Sequence, residues 1–164
     1  WSEVGRGSRF FVNVALGAEK TTGARFTTSR NSGELQSLAG LVVLLIENDL
    51  ELRRAMCLLL EKWDISVLDV GNGQEAMELL AEIEMAPDAM LVDYQLEADA
   101  DGLEVIDRVK DAYGDLPSRL ITANRSTNLR KECAVRGVEL LNKPIDARSL
   151  QRFLSEAAGV RRER

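Results

Sequence analysis

A chain of 164 residues has room for one full domain and some additional chain. Its apolar fraction of 45% supports a genuine core, and its longest unbroken apolar run, Leu41 to Ile46, is far too short to span a bilayer. The absence of histidine excludes a histidine-based triad, a histidine-containing zinc site and a phosphohistidine donor within the chain, and a net charge of −6 argues against a nucleic-acid surface.

The first 16 residues read as a turn, Gly5-Arg6-Gly7-Ser8, followed by a strand from Arg9 to Leu16. Residues 17–39 hold Gly, Ser and Thr with few large apolar side chains and no sustained period, which predicts a flexible linker. Residues 1–39 carry five basic and three acidic side chains, net +2, so a total of −6 leaves −8 on the remainder. An acidic domain suits a cation-binding site or a protein partner. A chain that opens on Trp1, without a secretory leader, reads as a piece of a longer protein.

From Leu41 the pattern changes. Short apolar runs predict strands at Leu41–Ile46, Ile65–Val70, Ala89–Val92, Arg119–Ile121 and Val138–Leu141. Helical spacing predicts helices over Leu50–Trp63, Gln74–Ile83, Gly102–Tyr113, Thr127–Arg136 and Ala147–Ala157. In the first helix Leu52, Met56, Leu59, Leu60 and Trp63 share a face, Asn72 with Glu75 forms a capping box for the second, and Asp146 caps the last. Cys57 and Cys133 fall in helices without metal-ligand spacing and read as reduced packing thiols.

Five β-α repeats imply an α/β fold: a doubly wound, five-stranded parallel sheet with helices on both faces. A dinucleotide-binding order would want a Gly-rich phosphate loop after the first strand. Glu47-Asn48-Asp49 stands there instead and repels phosphate unless a cation intervenes, which favours the flavodoxin-like order 2-1-3-4-5.

In such a sheet, ligands bind beyond the carboxyl ends of the strands. Strand one ends in Glu47, Asn48 and Asp49, strand three in Asp93, strand four in Thr122, and strand five in Lys143 before Pro144. Hard oxygens from few protein ligands suit Mg²⁺ or another divalent cation, which keeps several waters and bridges to phosphate. Asp93 then fits a carboxylate nucleophile, Lys143 a point charge for a phosphoryl oxygen, and Thr122 a hydrogen-bond donor to another. The small Ala123 leaves room for phosphate against the backbone. Phosphoryl transfer needs little beyond such positioning and neutralisation.

The four segments LIEND, LVDYQ, ITA and NKPID, in this order and at these distances, resemble the signatures of response-regulator receiver domains over residues 40–158. The resemblance implies that Asp93 is the phosphoacceptor, Thr122 the switch hydroxyl and Lys143 the family lysine. It also implies that Glu47, Asn48, Asp93 and the backbone carbonyl of Gln95 form the cation shell, and that the Lys143–Pro144 peptide is cis. Two positions depart from the family. Asn48 stands where a directly coordinating carboxylate belongs, with Asp49 either compensating or only capping the first helix. Leu140 stands where the switch aromatic is usual.

The segment SEVGRGSRFFVNVAL resembles the last glycine box and final strand of a histidine-kinase ATPase domain. The organisation implied is an ATPase remnant at 1–16, a linker at 17–39, a receiver at 40–158 and a tail at 159–164, as in a hybrid sensor histidine kinase. The fragment is then a cytoplasmic phosphoacceptor without kinase activity of its own, whatever membrane attachment the parent has. Its donor is a phosphohistidine on a kinase dimerisation domain or phosphotransfer protein. Nucleic acid is not expected as a partner, and the face of helix four, strand five and helix five is where a homodimer could form.

A different class of function is a receiver-like interaction module that is not phosphorylated, which Asn48 and Leu140 favour. An aspartyl-phosphate hydrolase is a weaker rival, because Asp93-Tyr94-Gln95 lacks a second acid. The acidic run Glu97, Asp99 and Asp101 reads as a solvated loop beside Asp93.

Overall fold

The structure is a computed structural model that describes Ser2, Glu3, Gly7, Ser8 and residues 38–96 and 101–162. The chain divides into two compact units, Trp1–Gly33 and Glu34–Arg164. In the first, Ser2–Glu3 pairs antiparallel with Gly7–Ser8. Gly7 and Ser8, expected within a turn, are therefore a strand, because a two-residue ladder takes up their backbone groups. The strand expected over Arg9 to Leu16 and most of the linker lie outside the described residues.

The second unit alternates β1 (Val42–Ile46), α1 (Leu50–Glu61), β2 (Ser66–Val70), α2 (Gly73–Ile83), β3 (Ala89–Asp93), α3 (Gly102–Tyr113), β4 (Ser118–Thr122), α4 (Thr127–Val135), β5 (Glu139–Asn142) and α5 (Ala147–Arg162). The strands form a parallel sheet ordered β2-β1-β3-β4-β5, the flavodoxin-like arrangement. Among the described residues no helix is long and apolar enough to cross a membrane.

Both faces of the sheet are covered, and the two-residue period of the strands decides which side chain goes where. Leu44, Ile46, Met90, Val92 and Leu120 point toward Leu80 of α2, Leu103 and Ile106 of α3, and Leu129 of α4. Val43, Leu45, Leu91 and Ile121 point the other way, onto Met56 and Leu60 of α1 and Leu150, Phe153 and Leu154 of α5. Each of these large side chains contributes on the order of 1.5–3 kcal/mol by leaving water. Leu52, Leu59 and Trp63 flank the second cluster, as the spacing of the first helix predicts.

Capping residues fix where the helices start. Asp49, Asn72, Asp101, Ser126 and Asp146 each accept a first-turn N–H. Three helix ends differ from expectation, α4 only by one residue, with Arg136 as its C-cap. α1 stops at Glu61 rather than Trp63, because the chain turns through Asp64 at φ 58° and the Ile65 N–H returns to the Leu60 carbonyl. α5 runs to Arg162, so the described part of the expected tail, 159–162, is helix. Arg161 explains the extension: its guanidinium donates to the Gly40 carbonyl and pairs with Asp88 at 3.3 Å.

Candidate functional site

Four polar or charged residues are buried among the described residues: Glu47, Asp93, Ser118 and Thr122. Ser118 is satisfied locally, its hydroxyl donating to the Leu116 carbonyl at 2.7 Å. The other three stand at the carboxyl ends of β1, β3 and β4. Burying a charge there is costly unless it is paired, and the partner comes from the end of β5. The Lys143 ammonium lies 3.1 Å from Glu47 Oε2 and 3.1 Å from Asp93 Oδ1.

Each strand end is held by backbone bonds. The Glu47 N–H donates to the Val70 carbonyl, Tyr94 N–H to the Ile121 carbonyl, and Lys143 N–H to the Thr122 carbonyl. The Lys143–Pro144 peptide is cis. The register sets Asp93 beside Ile121 and Thr122 beside Asn142. Three adjacent strands thus bring carboxylate, hydroxyl and ammonium to one edge, and β1 adds a second carboxylate.

Glu47 is fully engaged. Its Oε1 accepts the Asp49 N–H at 3.1 Å, its Oε2 accepts Lys143, and its carbonyl accepts Arg53 Nη1 at 3.0 Å. For Lys143, burial alone would pull the ammonium pKa down. The hydrogen bonds that Lys143 donates to Glu47 and Asp93, and the negative charges of both, outweigh that, and the net shift is upward.

Not every expected residue meets the others. Thr122 Oγ1 accepts the Asn124 N–H at 2.9 Å, and no hydrogen bond joins it to Asp93 among the described residues. Asn48 is half-buried with no described hydrogen bond to its side chain, and Gln95 is exposed. Asp49 caps α1: its Oδ1 accepts the N–H groups of Glu51 and Leu52 at 2.9 and 3.0 Å. Asp101 caps α3 in the same way. Glu97 and Asp99 lie outside the described residues.

Two residues matter to the site that sequence reasoning missed. Arg53 reaches back from α1 to the Glu47 carbonyl and pairs with Asp69 at 3.3 Å. Gly102 opens α3 directly above the Asp93 backbone, where an added Cβ would lie 2.2 Å from the Asp93 carbonyl oxygen. A glycine nine positions after the acceptor candidate was the available signal for the second; nothing local marked the first.

The donor set fits a divalent cation. One cationic group already touches both carboxylates, so a single locus serves the two, and Asn48 follows Glu47 in the chain. Among the described residues no three acidic, histidine or cysteine side chains gather to hold a metal. The locus therefore offers two carboxylates and neutral oxygens rather than an acidic cage.

Residues 43–155 match the family described as response regulator receiver domain. Over 118 residues the chain is 28% identical to a cyclic di-GMP phosphodiesterase of Thermotoga maritima, covering 71% of this chain and 31% of that protein. Over 116 residues it is 30% identical to the transcriptional regulatory protein ZraR of Klebsiella oxytoca, covering 70% and 26%. The chain thus spans a third or less of these relatives. Among solved structures, a response regulator receiver domain protein from Clostridium thermocellum superposes with a TM-score of 0.68 at 18% identity, covering 74% of this chain and 97% of that one. The signal receiver domain of a modulated diguanylate cyclase from Desulfovibrio desulfuricans G20 gives 0.64 at 28% identity, covering 74% and 95%.

Proposed function

This chain belongs to the response regulator receiver domain family of two-component signalling, and from that premise we propose that Asp93 accepts a phosphoryl group from a phosphohistidine. The observation that carries the reading is the Lys143 ammonium, held 3.1 Å from both Glu47 and Asp93 at the switch edge of the sheet. In the transfer an Asp93 carboxylate oxygen attacks phosphorus and an O–P bond forms. The P–N bond breaks, its electron pair staying on the imidazole, which leaves neutral when its other nitrogen is protonated. Glu47, Asn48, Asp93 and the Gln95 carbonyl would hold Mg²⁺. Bound there, the ion would supply positive charge that offsets the repulsion between these acids and an incoming phosphoryl group. Lys143 neutralises one phosphoryl oxygen, and the Thr122 hydroxyl, whose proton is not used by its bond to Asn124, can donate to another. Inward movement of Thr122 would bias the face of α4, β5 and α5, with the half-buried Leu140 in place of an aromatic reporter.

The donor lies outside this chain, which has no histidine. The likeness of residues 1–16 to the end of a histidine-kinase ATPase domain supports a hybrid sensor kinase as parent. The test is labelling with a small phosphodonor and Mg²⁺: the chain should take up one phosphoryl group and Asp93→Asn none. Labelling that persists in Asp93→Asn would refute the assignment. A second reading, an interaction module that is never phosphorylated, is favoured by Asn48 together with the commitment of Asp49 to capping. It predicts no label in either chain.

A further inference from the structure

We infer that the open edge of β5 takes up an extended acidic segment of a partner protein as a further strand of the sheet, with acidic side chains alternating with small apolar ones. Nothing in this requires Asp93 to be phosphorylated. Three observations carry it. First, β5 ends the sheet and has a neighbour on one side only. The Lys143 N–H goes to the Thr122 carbonyl, and in a parallel ladder alternate residues turn the same way. The N–H and C=O groups of Leu140 and Asn142 therefore point away from β4, and among the described residues no backbone group outside the sheet meets them. Such an edge is a template for another strand. Second, a cavity flanks the edge on each face of the sheet. On the α5 side one of about 260 Å³ is lined in part by Arg119, Asp146, Ser149, Arg152 and Phe153. On the α4 side one of about 440 Å³ is lined in part by Arg130, Ala134, Val138 and Leu140. A strand laid along β5 sends its side chains alternately into the two. Third, residues 123–162 carry nine basic and four acidic side chains, net +5, in a chain of net −6. Those acids are engaged: Glu139 and Glu156 by Arg119 at 2.8 and 3.3 Å, Glu132 by Arg136 at 3.2 Å, and Asp146 by the Ser149 N–H at 2.8 Å. Arg130 and Arg152 are exposed, one at each cavity, and neither makes an ion pair among the described residues.

Charge selects the occupant. A second copy pairing β5 with β5 would set two regions of net +5 against each other, whereas an acidic segment is drawn to Arg130 and Arg152. The linings select the alternation. An acidic side chain meets Arg152 on the polar α5 side, and a valine-sized one meets Val138 and Leu140 on the α4 side. Backbone pairing then supplies affinity, and the alternating pockets supply specificity.

The experiment titrates the full chain with an end-blocked peptide of alternating glutamate and valine, followed by amide shifts. The Leu140 and Asn142 amides should shift and exchange more slowly with solvent, and a peptide of alternating lysine and valine should not bind. An added strand turns only every second N–H toward β5. The glutamate peptide N-methylated at all its glutamates, or instead at all its valines, should therefore lose binding in one case and keep it in the other. Arg152→Glu should weaken binding by about five- to tenfold, the scale of an exposed charge pair turned from attraction to repulsion. Should Arg152→Glu not fold, the two methylated peptides decide on the parent chain. No binding at millimolar peptide, binding of the lysine peptide, equal behaviour of the two methylated peptides, or unchanged affinity in folded Arg152→Glu overturns the proposal. So does a dimer of the chain that the glutamate peptide fails to disperse in sedimentation, which would give the edge to a second copy.

Discussion

Gly102 sits on the backbone of Asp93: a Cβ added to it would come within 2.2 Å of the Asp93 carbonyl oxygen and 2.8 Å of Leu120 Cδ1. The Gly102 N–H also donates to the Tyr94 carbonyl at 3.1 Å. The first turn of α3 is therefore pressed against the strand end that presents the acceptor carboxylate. Its glycine is needed for close approach, not for an unusual backbone angle.

Gly102→Ala should both destabilise the domain and disturb Asp93. Alanine in a helix is ordinarily favourable, but here backbone has to move, at a cost of about 1–3 kcal/mol. The melting temperature should fall by roughly 4–15 °C. Labelling of Asp93 should slow by about ten- to a hundredfold, because small misplacements of a nucleophile are expensive. A melting curve and labelling rate matching the parent would show that α3 can back away freely.

Much of this was legible in the sequence because strand ends are read locally. Each apolar run is short, and the polar residue that closes it, Asp93, Thr122 or Lys143, lies at the sheet edge by necessity. Sequence spacing could not say that Glu47 would be shared with Lys143, 96 residues away, or that Arg53 would hold its carbonyl. Those contacts are set by packing. The end of α5 lies beyond the expected Ala157 for a related reason. Gly159 costs about 1 kcal/mol relative to alanine within a helix, yet the helix runs through it to Arg162, where Arg161 makes its contacts. Asp49 was ambiguous because a carboxylate after a strand serves equally as a ligand or as a cap.

Asp49→Ala separates those two roles. Loss of the cap leaves the Glu51 and Leu52 N–H groups without their acceptor and should cost about 1 kcal/mol of stability. Mg²⁺ affinity should stay within about twofold of the parent, a small effect on the scale of ligand removal. A large loss of Mg²⁺ binding at unchanged melting temperature would make Asp49 a ligand after all.

Lys143 should give the domain an alkaline limb. Its pKa is raised in the folded chain: burial opposes the charge, but Glu47 and Asp93 more than compensate. A group that holds its proton more tightly when folded stabilises the fold while protonated. That contribution is complete below the ordinary lysine value of 10.5 and is lost as pH rises through the higher folded value. Urea unfolding across this range should show stability falling more steeply for the parent than for Lys143→Met. Superimposable alkaline limbs would mean that the bridge adds nothing to the fold.

The last turn of α5 should contribute to stability through Arg161. Its guanidinium meets the Gly40 carbonyl and Asp88, and Asp88 Oδ2 also accepts the Val42 N–H at 2.8 Å. One side chain thus joins the end of the domain to the starts of β1 and β3. The Arg161 side chain is 48% exposed, so Arg161→Ala should cost only about 0.5–1 kcal/mol. A chain ending at Ala158 should lose more, since it also removes the last helical turn. Thermal unfolding of the three chains should rank the parent highest, Arg161→Ala next and the shortened chain lowest. A shortened chain that melts with the parent would return residues 159–164 to the status of a tail.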